Sequence, residues 1–572
     1  MNPTRTILLF AWLTVAAFLW MEWSKERSAP PAPAATEQSA PSAAIPTLIP
    51  GQPAATVPNA TSGVPAAATA AATPTPAANA SSSRVTVTTD VLRLVLDGGN
   101  VFDAELLQYP QTREKGSPPV KLLDESSAHY YVAQSGWTGQ NGASAPNHVN
   151  GFVAENPANT NVALTTSQRE ISVPFVWNGP DGVTIRRIWT IKRGSYAIEV
   201  RDEVANAGGK PWAGYVYRQL ARIPPEQKSG MTNPESYSFL GATWLDADQK
   251  YQRRKFKDFA EDGPVNITVT GGWIAMLQHH FLSVWIPQPD QAALFSLAHT
   301  GRVDSIAATG PAFTVAPGTK EATSARLWVG PKLVKQIQAQ GVPKLDRAVD
   351  YSQYSFFAML GEGLFWVLDK LHGLFGNWGW TIIGMVLLLK LLLFPLSAAQ
   401  YKSAAKMRKF QPRVAQLKER YGDDKQKFQL ALMELYKKEK INPVGGCLPI
   451  IPQMIIFMAL YWVLMESVEL RQAPWMLWIQ DLTARDPFFI LPIINMAIMW
   501  TTQKLTPAVG MDPMQQKMMQ MMPLIFGVIL AFLPAGLVLY QVANGGLGLL
   551  QQWLMLKKYS DPPAGKAVAE KA

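Results

Sequence analysis

The chain has 572 residues, 48% of them hydrophobic and only 16% charged. Soluble globular proteins carry about 25% charged residues, so an ordinary cytosolic protein is excluded. Net charge is +10 and Cys447 is the one cysteine. An intramolecular disulfide and a cysteine-based zinc site are therefore excluded, and the basic balance points to nucleic acid or an anionic membrane surface.

Residues 1–27 read as a signal-anchor transmembrane helix. Thr6 to Trp23 is an apolar run whose only charge is Glu22, and it is just long enough to cross a bilayer. A cleavable signal peptide is the competing reading, but the run ends in bulky Phe18, Leu19, Trp20 and Met21. Cleavage regions favour small residues. Arg5 places the N-terminus in the cytoplasm. Residues 28–83 are a disordered linker: 44 of the 56 are Ala, Pro, Ser or Thr. Such a stretch buries no core.

From 84 to 346 the pattern becomes that of strands. Val85 and Val87 alternate with Thr86 and Thr88, and Leu92, Leu94 and Leu96 continue the period. Asn178–Gly182 carries turn chemistry and is followed by Val183, Ile185, Trp189 and Ile191 among polar residues. Period-2 alternation between glycine-rich turns predicts antiparallel sheet, and this length of it predicts a large β-sandwich. His279 and His280 are adjacent. On a strand they would point to opposite faces, a poor metal pair.

Residues 347–379 hold an amphipathic helix at 361–376, with Leu364, Val367, Leu368, Leu371, Leu374 and Phe375 on one face. It reads as an interfacial helix or as one packed on the β-domain. Residues 380–556 form a five-helix core, with apolar spans at Trp380–Leu396, Pro443–Met465, Phe488–Thr502 (or to Leu505), Met518–Leu533 and Gly536–Leu556. The anchor makes six spans. Residues 401–442 hold 12 Lys/Arg against 5 Asp/Glu, whereas 466–486 hold two Arg against four acids. The positive-inside rule then puts 401–442, the N-terminus and the basic tail 557–572 in the cytoplasm, and the β-domain outside.

Lys390 is the sharpest single residue, in the middle of an apolar run. A lysine at the bilayer centre costs about 2.5–3.5 kcal/mol on insertion scales. It either snorkels to the cytoplasmic face or faces a wet cavity in the bundle. Gln453, Tyr540, Gln541 and Asn544 are candidates for the same cavity, though each alone is as readily an interhelical hydrogen bond. The loop 401–442 reads as a helical hairpin turning at Gly422, Asp423 and Asp424. Its Lys402, Lys406, Arg408, Lys409, Arg413, Lys418 and Arg420 are either a solvated face or a dock for lipid headgroups or ribosomal RNA. Six methionines within 511–522 read as packing at a span's end, with an adaptable apolar surface as the alternative. No nucleotide loop, zincin or nucleophile-elbow motif occurs, so no catalytic constellation is in view.

The segments FPLSAAQYKSAAKMRKFQPRVAQLKERYGDDKQK (394–427), INPVGGCLPIIPQMIIFMALYWVLMESVELRQAPWMLWIQDL (441–482) and DPMQQKMMQMMPLIF (512–526) resemble the YidC family, the membrane protein insertases of Gram-negative bacteria. GNWGW (376–380), LPAGLVLY (533–540) and GGWIAMLQHHF (271–281) add to the likeness. The resemblance implies a mixed fold: a polytopic α-helical membrane bundle of six spans, a large periplasmic β-super-sandwich domain and a cytoplasmic helical hairpin. It implies a hydrophilic groove open to cytoplasm and lipid, with Lys390 where the family usually has arginine, and Tyr540-Gln541 where it often has two tyrosines. The implied function is that of an insertase and chaperone of the bacterial inner membrane, not an enzyme, with no cofactor. Implied partners are nascent inner-membrane proteins, the Sec translocon (SecYEG, SecDF), the ribosome with its RNA, and the lipid bilayer. A solute transporter using Lys390 as an anion site, or an envelope carbohydrate-active protein, stands as the alternative.

Overall fold

The computed structural model describes residues 84–149, 151–226, 238–352, 354–400, 410–421, 424–438, 450–505 and 513–559. The expected anchor and linker lie outside these, as do Lys402, Lys406, Arg408, Lys409 and most of the tail. The described residues divide into two compact units, one of 84–365 with 459–473, the other of 366–458 with 474–559.

The first unit is a β-sandwich of an eleven-stranded and a nine-stranded sheet. In the nine-stranded sheet Ala197–Asn206 runs antiparallel between Val183–Lys192 and Lys320–Pro331. In the eleven-stranded sheet Trp212–Arg222 lies between Tyr131–Gly139 and Val303–Thr309. The alternation decides which face is buried: Val183, Ile185, Trp189 and Ile191 all point inward. Trp137, Trp189, Trp273, Trp285 and Trp328 fill the core.

Arg187 takes an inward position on the same strand and is fully buried. Its guanidinium meets Asp202 on the neighbouring strand through Nε–Oδ1 and Nη2–Oδ2, both 2.7 Å. Its Nη1 donates to the carbonyls of Gly98 and Ser135, each at 2.9 Å, and Trp137 Nε1 donates to Asp202 Oδ2 at 2.8 Å. Ser135 and Trp137 belong to the opposite sheet. A buried ion pair is tolerable only when its remaining donors and acceptors are met; here that requirement ties the two sheets together.

Segment 459–473 is part of this unit. Lys332 Nζ meets Glu466 Oε2 at 2.8 Å with both side chains buried, and Arg471 donates to the Pro110 carbonyl at 2.8 Å. His279 contacts the Met465 carbonyl at 2.8 Å. The two histidines are not on a strand. They occupy the turn between Ile274–Leu277 and Phe281–Ile286, and their rings stack at 3.8 Å instead of facing apart. The turn frees them from the strand alternation on which the opposite-face expectation rested. No group of three or more metal-ligating side chains is found among the described residues.

The longer described helices are α1 (Ser355–Phe375), α2 (Trp378–Leu392), α3 (Gln411–Tyr421), α4 (Lys425–Lys438), α5 (Ile450–Glu466), α6 (Ile490–Leu505), α7 (Pro513–Leu530) and α8 (Ala535–Tyr559). α1 starts six residues before the expected 361, and its apolar face divides: Leu364 and Leu368 are buried, Leu374 and Phe375 exposed. α3 and α4 pack on each other, and the Asp424 carboxylate accepts from Gln426 N and Lys427 N at the start of α4, while Gly422 and Asp423 of the expected turn lie outside the described residues. No single described helix is long and apolar enough to cross a membrane by itself. One bent pair, Trp378–Leu392 with Phe394–Gln400 at 66°, is so by length and composition.

Burial gives the sandwich a pH response. His148 lies against Tyr217, its Nδ1 2.6 Å from the phenol oxygen, and burial pushes its pKa from 6.5 down to about 4. The unfolded chain therefore binds a proton between pH 6.5 and 4 that the folded chain refuses, so this group's stabilisation is complete above 6.5 and is lost as pH falls towards 4. The expected loss is roughly 2 kcal/mol by pH 5. Thermal melts at pH 7.5 and 5 check it: the drop in Tm is smaller in His148→Gln than in wild type, and equal drops contradict the assignment.

Candidate functional site: a cavity around Lys390

Asn377 starts α2. Its side-chain oxygen accepts from Gly379 N and Trp380 N at 3.0 and 3.2 Å, an N-cap that satisfies two otherwise unpaired donors. Buried Ile382, Met385 and Val386 set the packed face. Lys390 lies one turn beyond Val386, on the same side. The helix then breaks at Leu393, and the chain turns by 66°. Pro395 follows the break; proline has no amide hydrogen and its ring clashes with the carbonyl four residues back.

The 3–4 residue spacing survives the bend. Leu389, Lys390, Leu393, Leu396, Ser397 and Gln400 all line one cavity of about 590 Å³. Gln453 and Ile456 of α5 line it too, with Ile498, Met499, Thr502 and Gln503 of α6. Met519, Met522 and Pro523 of α7 and Tyr540, Asn544, Gly545, Gly548 and Leu549 of α8 complete it. α8 is held at its start by the loop before α6 and further along by α6 itself. Ala535 N donates to Ala484 O at 2.7 Å, and a Cβ on Gly545 would stand 3.0 Å from Ile498 Cγ2. Gly545 thus lets two backbones approach closely where a larger residue would push them apart.

Of the five expected groove residues, Lys390, Gln453, Tyr540 and Asn544 come together around this cavity. Gln541 is not among the lining residues. The neighbouring Tyr540 ring stacks on Phe457 with centroids 6.2 Å apart, and the lining on α8 continues from Tyr540 to Asn544, one turn along. Sequence reasoning missed Ser397, Gln400, Thr502 and Gln503. The first two follow Lys390 at helical spacing, a signal hidden because the expected span stopped at Leu396. Two of the methionines, Met519 and Met522, line the cavity, and Met518, Met521 and Met522 are exposed.

Lys390 is the one charged residue among those lining the cavity, and no carboxylate among the described residues pairs with it. The wall around it combines amides, hydroxyls and a phenol with Leu, Ile and Met. Such a site cannot hold a metal ion: it offers no anionic ligand, and a cation already occupies it. Its cation suits a carboxylate, its amides and hydroxyls suit polar backbone, and thioethers adapt to varied apolar side chains. Of the cations in the 401–442 segment, Arg413, Lys418 and Arg420 are exposed on α3.

Residues 84–367 match the profile of the YidC periplasmic domain, and residues 370–562 match that of the 60Kd inner membrane protein family. The chain is 62% identical over 569 residues to the membrane protein insertase YidC of Stenotrophomonas maltophilia strain R551-3, covering 100% of this chain and 99% of that protein. It is 59% identical over 570 residues to the membrane protein insertase YidC of Xanthomonas euvesicatoria pv. vesicatoria, covering 99% of each. Among solved structures it is similar to the crystal structure of an active YidC insertase with the first transmembrane domain resolved. That likeness has 19% identity and a TM-score of 0.36, over 82% of this chain and 92% of the other.

A wet cavity has a direct test. In a Cys447→Ser background, Ser397→Cys and Asn544→Cys react rapidly with a charged, membrane-impermeant thiol reagent, and the buried Leu539→Cys does not. Equal protection of all three would mean the cavity is dry.

Proposed function

The chain belongs to the YidC family of membrane protein insertases, and on that premise we propose that it inserts inner-membrane proteins through the cavity around Lys390. Six spans cross the inner membrane with both termini in the cytoplasm and the β-sandwich in the periplasm. The charge asymmetry of the loops supports this topology. The domain layout is that of the sequence reading: anchor 1–27, linker 28–83, sandwich 84–346, interfacial region 347–379, insertase core 380–556 with hairpin 401–442, and basic tail 557–572.

The physical problem is to move a polar segment through hydrocarbon. Each unpaired backbone group costs several kcal/mol there. A cavity that is wet part-way into the bilayer shortens the dry path. Lys390 draws in an acidic residue of the incoming segment, while Gln453, Tyr540 and Asn544, with Ser397, Gln400, Thr502 and Gln503, offer its backbone temporary hydrogen bonds. The apolar helix of the substrate then leaves for the lipid, and its burial drives the step at about 25 cal/mol per Å² of apolar surface. No bond is made or broken, so the process needs neither nucleotide nor cofactor. Lysine supplies the charge without the bidentate fork of arginine, so recognition here rests on charge and not on planar geometry.

The basic hairpin, with Lys402, Lys406, Arg408, Lys409, Arg413, Lys418 and Arg420, docks the ribosome through its RNA and leans on anionic lipid between rounds. Substrates reach the cavity either directly from the ribosome or from the Sec translocon (SecYEG, SecDF).

The observation that carries this reading is the lone cation among amides and hydroxyls in the cavity. The test is insertion of a two-span protein with an acidic translocated tail, read by protease protection after depletion and complementation. Lys390→Arg retains activity. Lys390→Ala loses roughly tenfold, equivalent to about 1.4 kcal/mol, and Lys390→Glu loses more. Equal insertion by all variants would remove the charge from the mechanism.

A further inference from the structure

The loop 474–489, which joins α5 to α6, is held rigidly. Trp475 N donates to Ile479 O at 2.9 Å, and Asn377 Nδ2 donates to the carbonyls of Pro474 and Trp475, both at 3.1 Å. Gly536 N donates to Leu482 O at 2.8 Å. Asp486 is buried, and its carboxylate accepts from Trp478 Nε1, Phe488 N and Leu491 N at 3.0, 3.1 and 2.7 Å. That carboxylate ties the loop to the first turn of α6, where the helix dipole favours a negative charge.

The loop buries Ile479 and Leu482 yet turns other apolar residues outward: Leu477 is 67% exposed and Phe488 64%. The outward turns carry strain. Leu477 has φ 52° and Phe489 φ 56°, both in the left-handed region that large side chains rarely adopt. A rigid loop that spends backbone strain to expose apolar side chains is poorly matched to water.

Two features identify what meets them. Trp380 and Trp475 meet edge to face at 5.7 Å where the loop is bonded to Asn377 at the start of α2, and the loop and the first turn of α2 also carry Trp478 and Trp378. Tryptophan marks the boundary between headgroups and acyl chains. Exposed apolar side chains also recur from Phe488 and Phe489 to Ile493 and Ile494, one helical turn on, along α6.

We propose that the 474–489 loop is a wedge that inserts Leu477 and Phe488 into the acyl-chain boundary of the periplasmic leaflet, with lipid as its partner. The wedge rests on the reading that these helices span the membrane. It fixes the depth of the loop end of α6 and α8. Arg485, exposed at its edge, meets lipid phosphate.

The full-length protein with Cys447→Ser, reconstituted in phospholipid vesicles, carries a nitroxide at Leu477→Cys or Phe488→Cys. References are Lys115→Cys, on an exposed turn of the sandwich, and Leu391→Cys, on the exposed side of α2. Oxygen partitions into acyl chains and a nickel chelate into water, so power saturation with each reads depth. The wedge predicts that 477 and 488 lose the nickel effect and gain the oxygen effect, as 391 does, while 115 shows the reverse. If 477 and 488 behave like 115 while 391 reads lipid, the wedge is wrong and the spanning reading stands. If 391 also reads water, the spanning reading falls and takes the wedge with it.

Discussion

A single uncompensated cation organises the helical unit. Lys390 carries its charge into a cavity whose wall mixes Leu, Ile and Met with amides and hydroxyls, without a carboxylate partner among the described residues. A charge in such surroundings is costly unless water or an opposite charge reaches it. The neighbouring features serve that requirement. The bend before Pro395 keeps Ser397 and Gln400 on the lysine's side. Thr502, Gln503 and Asn544 bring polar groups from the facing helices, and Gly545 lets α6 and α8 close up behind them. A built-in carboxylate would leave the cavity neutral, and the proposed attraction of an acidic segment would be lost.

The sandwich solves the opposite problem. There the buried charge of Arg187 is fully met by Asp202, two carbonyls and, through Asp202, Trp137. The same completeness marks the grip on segment 459–473, where Lys332 and Glu466 pair out of solvent. At Arg187 and Lys332 a built-in carboxylate meets the charge; at Lys390 none does among the described residues. The two sites contain similar chemistry and differ in whether the counter-charge is built in.

Much of this was legible in the sequence because it follows from period and charge. Alternation at Val85–Thr88 and Leu92–Leu96 reports buried and exposed sheet faces directly. Lys390 announced itself as a charge inside an apolar run. Ser397 and Gln400 did not, because they look like loop residues until the helix is seen to continue past Pro395. Thr502 and Gln503 sit at a helix end, where polar residues are ordinary. Gln541 illustrates the converse. A polar residue in an apolar helix is conspicuous in sequence, but whether it faces a cavity depends on the neighbour, here Tyr540 stacked on Phe457. The paired histidines at 279 and 280 lie in the turn between two strands, where the alternation of faces does not apply and their rings stack.

The central claim is that the substrate occupies the cavity around Lys390 and then leaves for lipid. Site-specific photo-crosslinking from the full-length protein to a stalled nascent chain tests this most directly. A photoreactive residue at Ile498 or Met519, on the cavity wall, should capture the hydrophobic segment at an early chain length. One at Leu388, exposed on the outer side of α2, should capture lipid and little of that early nascent chain. Equal capture from wall and outer side, or capture only from the outer side, would contradict the account and place the substrate's path along the surface of the bundle.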